Sequence, residues 1–132
     1  MGWGRTYTKG RFKRSATSAA QGIPALPVPA IRVGDRLYLS GMLGVTASNK
    51  SDIRGQTRET LASLGRTLKA AGFEWDQVVD GIVYITDVKN FAGMNEGYRE
   101  VFTKDFPARA TVEVGLVNPE GLVEIMFTAV KD

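Results

Sequence analysis

The chain has 132 residues, enough for one compact domain, in which a basic and proline-containing segment, 1–30, precedes a core, 31–132. It contains no cysteine and no histidine, which excludes disulfides, thiol nucleophiles, Cys/His zinc sites and imidazole-based triads. Acid–base chemistry would therefore fall to carboxylates, tyrosine, lysine or bound water. The sequence has neither a nucleotide-binding motif nor a cluster of metal ligands, so we expect no cofactor and no metal.

The net charge of +3 is unevenly divided along the chain. Residues 1–32 hold six bases and no acid, whereas 33–132 hold 11 bases and 14 acids, which gives +6 and −3. A nucleic-acid footprint would therefore lie on the basic segment. No apolar stretch approaches the ~20 residues that cross a bilayer, and residues 1–23 lack the apolar centre of a signal peptide, so we expect a cytoplasmic protein with no membrane partner.

The first predicted elements are short strands. Residues 31–33 and 37–39 flank Gly34-Asp35, which is typical of a hairpin turn. A further strand is predicted near residues 6–9.

The first helix is predicted to begin with Ser51 or Asp52 as its N-cap and to end at Gly72. Its apolar face has residues at helical spacing: Ile53, Leu61, Leu64, Leu68 and Ala71. Residues 78–86 are β-branched and mostly apolar, which predicts a strand covered on both faces.

A second helix is predicted from about Asn90 until Phe106-Pro107. Its buried stripe would comprise Phe91, Met94, Tyr98 and either Val101 or Phe102. Two alternating strands, 109–117 and 122–130, complete the chain. The order β-β-α-β-α-β-β predicts an α+β protein with a mixed sheet and both helices on one face.

Two charged residues interrupt the apolar C-terminal strands. Arg109 and Glu124 would be costly there unless they face water, a partner or a ligand. Periodicity alone favours the solvent face of an alternating hairpin, with Thr111 and Glu113 on the same face as Arg109. Asn95, one turn into the second helix, would on the same grounds be a polar surface residue.

Six stretches of the chain resemble the signature segments of one protein family. They are Arg32-Val-Gly-Asp-Arg-Leu-Tyr-Leu-Ser-Gly41, Gln56-Thr-Arg-Glu-Thr-Leu61, Leu68-Lys-Ala-Ala-Gly72, Asn95-Glu-Gly-Tyr98, Phe106-Pro-Ala-Arg-Ala-Thr-Val-Glu-Val114 and Leu122-Val-Glu-Ile125. Through them, residues 28–130 resemble the RidA/YjgF family of reactive-intermediate deaminases, also labelled L-PSP endoribonucleases.

This resemblance implies a chorismate-mutase-like fold assembled as a homotrimer, with three clefts between neighbouring subunits. It implies that Arg109 clamps the carboxylate of a small metabolite, a task that suits the paired donors of a planar guanidinium. It also implies that Glu124 holds or activates a water. The remaining cleft positions that match are Asn95, Thr111 and the backbone of Ser40-Gly41.

The implied reaction is hydrolysis of an enamine or imine, such as 2-aminoacrylate or 2-iminopropionate, to a keto acid and ammonia. Water adds to an imine carbon that is already electrophilic, and a carboxylate can move the proton to the leaving nitrogen. Such chemistry needs no histidine, cysteine, metal or cofactor.

The chain departs from the family pattern on one wall of the expected cleft. Where family members typically carry Gly-Pro-Tyr-Ser-Gln-Ala, the chain reads Ala25-Leu-Pro-Val-Pro-Ala30, so Pro27 replaces a tyrosine and offers no hydrogen-bond donor. Met42 replaces a glutamine, and Thr111 a frequent cysteine. A more apolar wall beside a conserved clamp suggests a different or bulkier substrate.

Two other functions stay open. A related hydrolase, isomerase or ligand-binding protein could use the same clamp on another carboxylate. RNA binding or cleavage is less favoured, because the acidic body shows no stacking platform, and it would depend on Arg5, Lys9, Arg11, Lys13 and Arg14.

Overall fold

The structure, a computed structural model, describes residues 28–132 and the backbone of one short strand, Lys13–Ser15. The strand predicted near residues 6–9 and the wall around Pro27 lie outside the described residues. The elements in chain order are β1 (Lys13–Ser15), β2 (Ala30–Val33), β3 (Arg36–Leu39), α1 (Ile53–Ala70), β4 (Val78–Ile85), α2 (Phe91–Tyr98), β5 (Ala108–Glu113) and β6 (Val123–Val130). Short 3₁₀ turns, Trp75–Gln77 and Val88–Asn90, precede β4 and α2.

The strands form one mixed sheet in the order β1-β2-β3-β6-β4-β5. β4 and β5 pair in parallel, and the other neighbours are antiparallel. The helices contact each other, and α1 packs on β6. The predicted α+β fold with a mixed sheet and two helices is therefore confirmed. The buried core between helices and sheet includes Leu37, Leu61, Leu64, Leu68, Val83, Ile85, Met94, Ile125 and Phe127.

The two C-terminal strands do not form the alternating hairpin that periodicity favoured. β4 lies between β5 and β6 and pairs with both, because its inward residues are buried and apolar along their length. β5 is also shorter than predicted and ends at Glu113, after which the chain leaves the sheet and fully exposes Val117.

The predicted bounds of α1 are confirmed at both ends. Asp52 is the N-cap, and its carboxylate accepts a 2.9 Å hydrogen bond from the backbone N–H of Gly55. Beyond the C-cap, Gly72 adopts the left-handed conformation with a φ of 81°. Of the predicted apolar face, Ile53 alone is only partly buried.

α2 is much shorter than predicted, since it ends at Tyr98 instead of continuing to Phe106. Loose turns continue to about residue 102, and Asp105 then takes a left-handed φ of 51° that redirects the chain toward β5. Phe102 is buried, as predicted, whereas Phe91 is 45% exposed. The expectation for Phe91 is wrong because it lies at the edge of the helix–sheet layer, beside a guanidinium, and not above the core.

The other face of the sheet is not covered by any part of residues 28–132. Val123, Ile125 and Phe127 point to the helices, while the alternate residue Met126 is 36% exposed. On the same face, Tyr38 of β3 and Val112 of β5 are exposed to 42% and 43%. We call this surface, with its exposed apolar side chains, the open face.

An ion-pair cluster joins the outer surfaces of the helices. Arg58 and Arg54 both bind the carboxylate of Glu100 at 2.9 Å, and Arg54 also lies 3.6 Å from Glu96. Hydrogen bonds from Arg58 and then Arg54 lower the pKa of Glu100 to about 2. The cluster thus connects α1 to the turn after α2.

We predict that Glu100→Gln lowers thermal stability at neutral pH but not in strong acid. The folded-state pKa lies below the unfolded-state value of about 4.3, so the contribution of this carboxylate is present above that value and is lost as the pH falls to about 2. The difference in Tm between wild type and variant should therefore shrink between about pH 5 and pH 2. Glu59→Gln, whose partner Arg66 is 3.7 Å away, serves as the control. A pH-independent difference would contradict the assignment.

Candidate functional site

A cleft of about 290 Å³ opens between α2 and the start of β5. It is lined by Asn95, Tyr98, Arg99, Phe106, Pro107 and Arg109. The cleft exists because β5 is an edge strand, so one side of Arg109 has no neighbouring strand in the sheet. We call it the α2–β5 cleft.

Arg109 is held firmly within this cleft. Its Nη1 donates a 2.8 Å hydrogen bond to Oδ1 of Asn95, and its guanidinium carbon lies 4.7 Å from the ring centroid of Tyr98. The Phe91 ring lies on another side, at 5.8 Å. These contacts orient the guanidinium while most of its five N–H donors stay available for an anion.

Tyr98 packs against the arginine from the protein interior. The residue is only 4% exposed, and the centroid of its ring lies 4.8 Å from that of Phe102. Burial raises the pKa of Tyr98, while Arg109 opposes this effect through its charge and through a hydrogen-bonding contact, so the hydroxyl remains protonated at neutral pH. That contact lacks the geometry of a full hydrogen bond, and within the described residues the buried hydroxyl of Thr111 has no partner either.

Gly41 and the neighbouring Ser40 form a second group with Glu124, whereas Thr111 shares the face of Arg109. Gly41 lies against Oε2 of Glu124, so closely that a Cβ at position 41 would collide with it. The Ser40 hydroxyl donates to the carbonyl of Val28 at 2.5 Å, and its backbone N–H donates to Pro29. The side chain of Ser40 therefore binds the preceding segment. At positions 40–41, only the backbone is left to border the carboxylate of Glu124.

The structure places these two groups on opposite faces of the sheet. Arg109 pairs with Gly81 of β4, and Gly81 pairs in turn with Phe127 of β6, which points to the helices. Arg109 therefore lies on the helical face. Glu124 is in register with Tyr84, whose side chain lies on the open face, as that of Met126 does. Within one chain, the sheet therefore lies between the side chains of Arg109 and Glu124.

The structure brings the predicted residues Asn95 and Arg109 into contact, whereas sequence reasoning did not name several other residues that line the cleft. Tyr98 was assigned to the buried stripe, although its position one turn after Asn95 places both residues on the same side of α2. Arg99, Phe106 and Pro107 were not singled out as site residues, and the first of them carries no local signal beyond its charge. The predicted common face of Arg109, Thr111 and Glu113 agrees with the strand register.

Residues 28–132 contain no group of three or more aspartates and glutamates arranged to hold a metal ion. None of the helices described here is both long and apolar enough to pass through a membrane.

Comparisons with known proteins agree on one family. The family described as "Endoribonuclease L-PSP" matches residues 24–131. A RutC family protein of Pyrococcus horikoshii is 36% identical over 107 residues, which cover 78% of this chain and 85% of the relative. A crystal structure of a YjgF family member from Neisseria meningitidis is 33% identical, with a TM-score of 0.75 and coverage of 84% and 92%. The E. coli protein TdcF, crystallised with bound serine, is 27% identical, with the same TM-score and coverage.

We predict that Tyr98→Phe leaves the free energy of unfolding unchanged within about 1 kcal/mol or increases it, because a buried hydroxyl without a partner costs desolvation and returns no hydrogen bond. Chemical denaturation would measure the change, with the exposed Tyr38→Phe as the control. A clear loss of stability would instead show that a water or a second chain accepts from this hydroxyl.

Proposed function

This chain belongs to the RidA/YjgF family, and from that membership and the α2–β5 cleft we propose that it hydrolyses a small imine or enamine carboxylate to a 2-oxo acid and ammonia. The observation that carries the proposal is the state of Arg109. Its guanidinium is oriented by a neutral amide and an aromatic ring, and no carboxylate of residues 28–132 neutralises it. An oriented and uncompensated guanidinium in a cleft is suited to bind the carboxylate of a metabolite.

In the proposed reaction, the oxygen of a water forms a bond to the imine carbon, and the carbon–nitrogen bond then breaks. The nitrogen leaves as ammonia with protons from the water, so no oxidant or reductant is needed. Arg109 fixes the substrate by its carboxylate, with Asn95 and Tyr98 fixing Arg109 in turn. Glu124 takes a proton from the attacking water and delivers it to the nitrogen.

Because Arg109 and Glu124 lie on opposite faces of one chain, the proposal places the reaction between copies. Glu124 of a neighbouring copy would complete the cleft that contains Arg109, with Gly41, Ser40 and Thr111 at its border. A homotrimer would provide three such clefts and would cover the open face. The exposed side chains of Tyr38, Val112 and Met126 support such an assembly, since they form an apolar surface that favours burial.

The test uses 2-iminopropionate generated from alanine by an amino-acid oxidase, with semicarbazide trapping the surviving imine. The protein should accelerate loss of the trapped product, and Arg109→Lys should reduce kcat/KM about a hundredfold, because an ammonium cannot copy the paired donors. Arg66→Lys, an exposed arginine on α1, is the matched control.

A full rate in Arg109→Lys would reject the clamp. Spontaneous rates with folded wild-type protein would reject the deaminase and favour the related carboxylate-binding function, for which Arg109 alone is sufficient.

The close approach of Gly41 to Glu124 gives a second test. In Gly41→Ala the new methyl group must displace the Glu124 carboxylate, which is the end of a flexible side chain. We expect kcat to fall about tenfold while the free energy of unfolding changes by less than about 1 kcal/mol. Gly115→Ala, whose Cβ meets nothing within 4 Å, is the control. An unchanged kcat would contradict the role of Glu124.

A further inference from the structure

The α2–β5 cleft contains a second arginine that the clamp does not use. Arg99 immediately follows α2 and lies one helical turn beyond Asn95, which binds Arg109. Its side chain is exposed and lines the same 290 Å³ cleft. Two arginines therefore line one cleft.

Neighbouring acids do not neutralise this arginine. Glu100 is bound by Arg54 and Arg58 at 2.9 Å, and Glu96 is paired with Arg54 at 3.6 Å. Among residues 28–132, no carboxylate lies within 4.0 Å of either Arg99 or Arg109. The acids of α2 and the turn after it thus pair with arginines of α1, and within one chain they leave Arg99 and Arg109 without an acidic partner among residues 28–132.

We infer that the substrate carries two acidic groups, and that its class is the imine of a four- or five-carbon amino dicarboxylic acid. This inference rests on the proposed function. Arg109 binds the carboxylate next to the imine, and Arg99 binds the distal carboxylate. Phe106, which is 55% exposed, lies along the apolar carbons between them.

The size of the cleft permits this class. A cleft of about 290 Å³ on a single chain is large enough for an imino dicarboxylate as well as for a three-carbon imino acid. The arginines that line the cleft, and not its volume, therefore carry the choice between the two.

The binding test compares succinate with butyrate, two stable acids of equal carbon number, by calorimetry on the full chain. Succinate should bind wild type more tightly, and Arg99→Gln should reduce that preference roughly tenfold, the effect expected for one hydrogen bond to a charged group. Arg66→Gln is the matched control. Equal binding of the two acids, or a preference that survives Arg99→Gln, would overturn the inference.

The kinetic test compares imines generated by oxidases from aspartate and from alanine. Arg99→Gln should lower the ratio of their kcat/KM values about tenfold, mainly through the KM of the aspartate-derived imine. Hydrolysis of the alanine-derived imine without a dicarboxylate preference would overturn the inference and retain the proposed function. Arg99-dependent binding of succinate without hydrolysis of either imine would overturn the proposed hydrolysis and retain a site for two carboxylates.

Discussion

The parallel pairing of β4 and β5 is the constraint on which the candidate site depends. Parallel neighbours cannot be joined by a tight turn, so the chain must cross over one face of the sheet, and here the crossover contains α2. Arg109 is the second residue of β5 and emerges beneath that helix, where Asn95 and Tyr98 meet it. Because β5 is also the edge of the sheet, the resulting cleft stays open to ligands.

The position of β6 between β3 and β4 has an equally direct consequence. It makes β6 a central strand whose residues alternate between the helical layer and the open face. Glu124 lies on the open face and Arg109 on the helical side. The two residues are separated because side chains alternate between the faces of each strand and the strand pairing fixes which residues share a face. In the proposed assembly, the contact that covers the open face would also complete the site, because Glu124 lies on that face.

Local signals in the sequence were sufficient for much of this fold. The cap at Asp52, the left-handed Gly72 and the leucine spacing of α1 are set by residues close together in the chain. The insertion of β4 between β5 and β6 depends on distant pairing, which periodicity does not encode. The sequence also did not predict the burial of Gln56. Its polar side chain can be fully buried because it forms hydrogen bonds with the backbone of Asn49, Glu120 and Leu122, two of which are distant in the chain.

The candidate site shows the same division. Family resemblance identified Arg109, Asn95 and Glu124, and helical spacing could have added Tyr98. The sequence could not show whether Arg109 and Glu124 lie on the same face, because the pairing of the strands decides it. It also could not show the charge around Arg99, because that depends on which acids form ion pairs with other arginines.

That distribution of charge links the stability of the helix pair to the properties of the cleft. Arg54 and Arg58 draw Glu100 toward α1, which stabilises the helix pair at its surface and removes the nearest carboxylate from Arg99. Within one chain, neither arginine of the cleft has an acidic partner among residues 28–132. Under the inference above, each of them would bind one carboxylate of a dianion. Since Arg109 is already oriented by Asn95 and Tyr98, it loses little conformational freedom when it binds an anion, and in the inferred complex selectivity would depend on where the second negative charge lies.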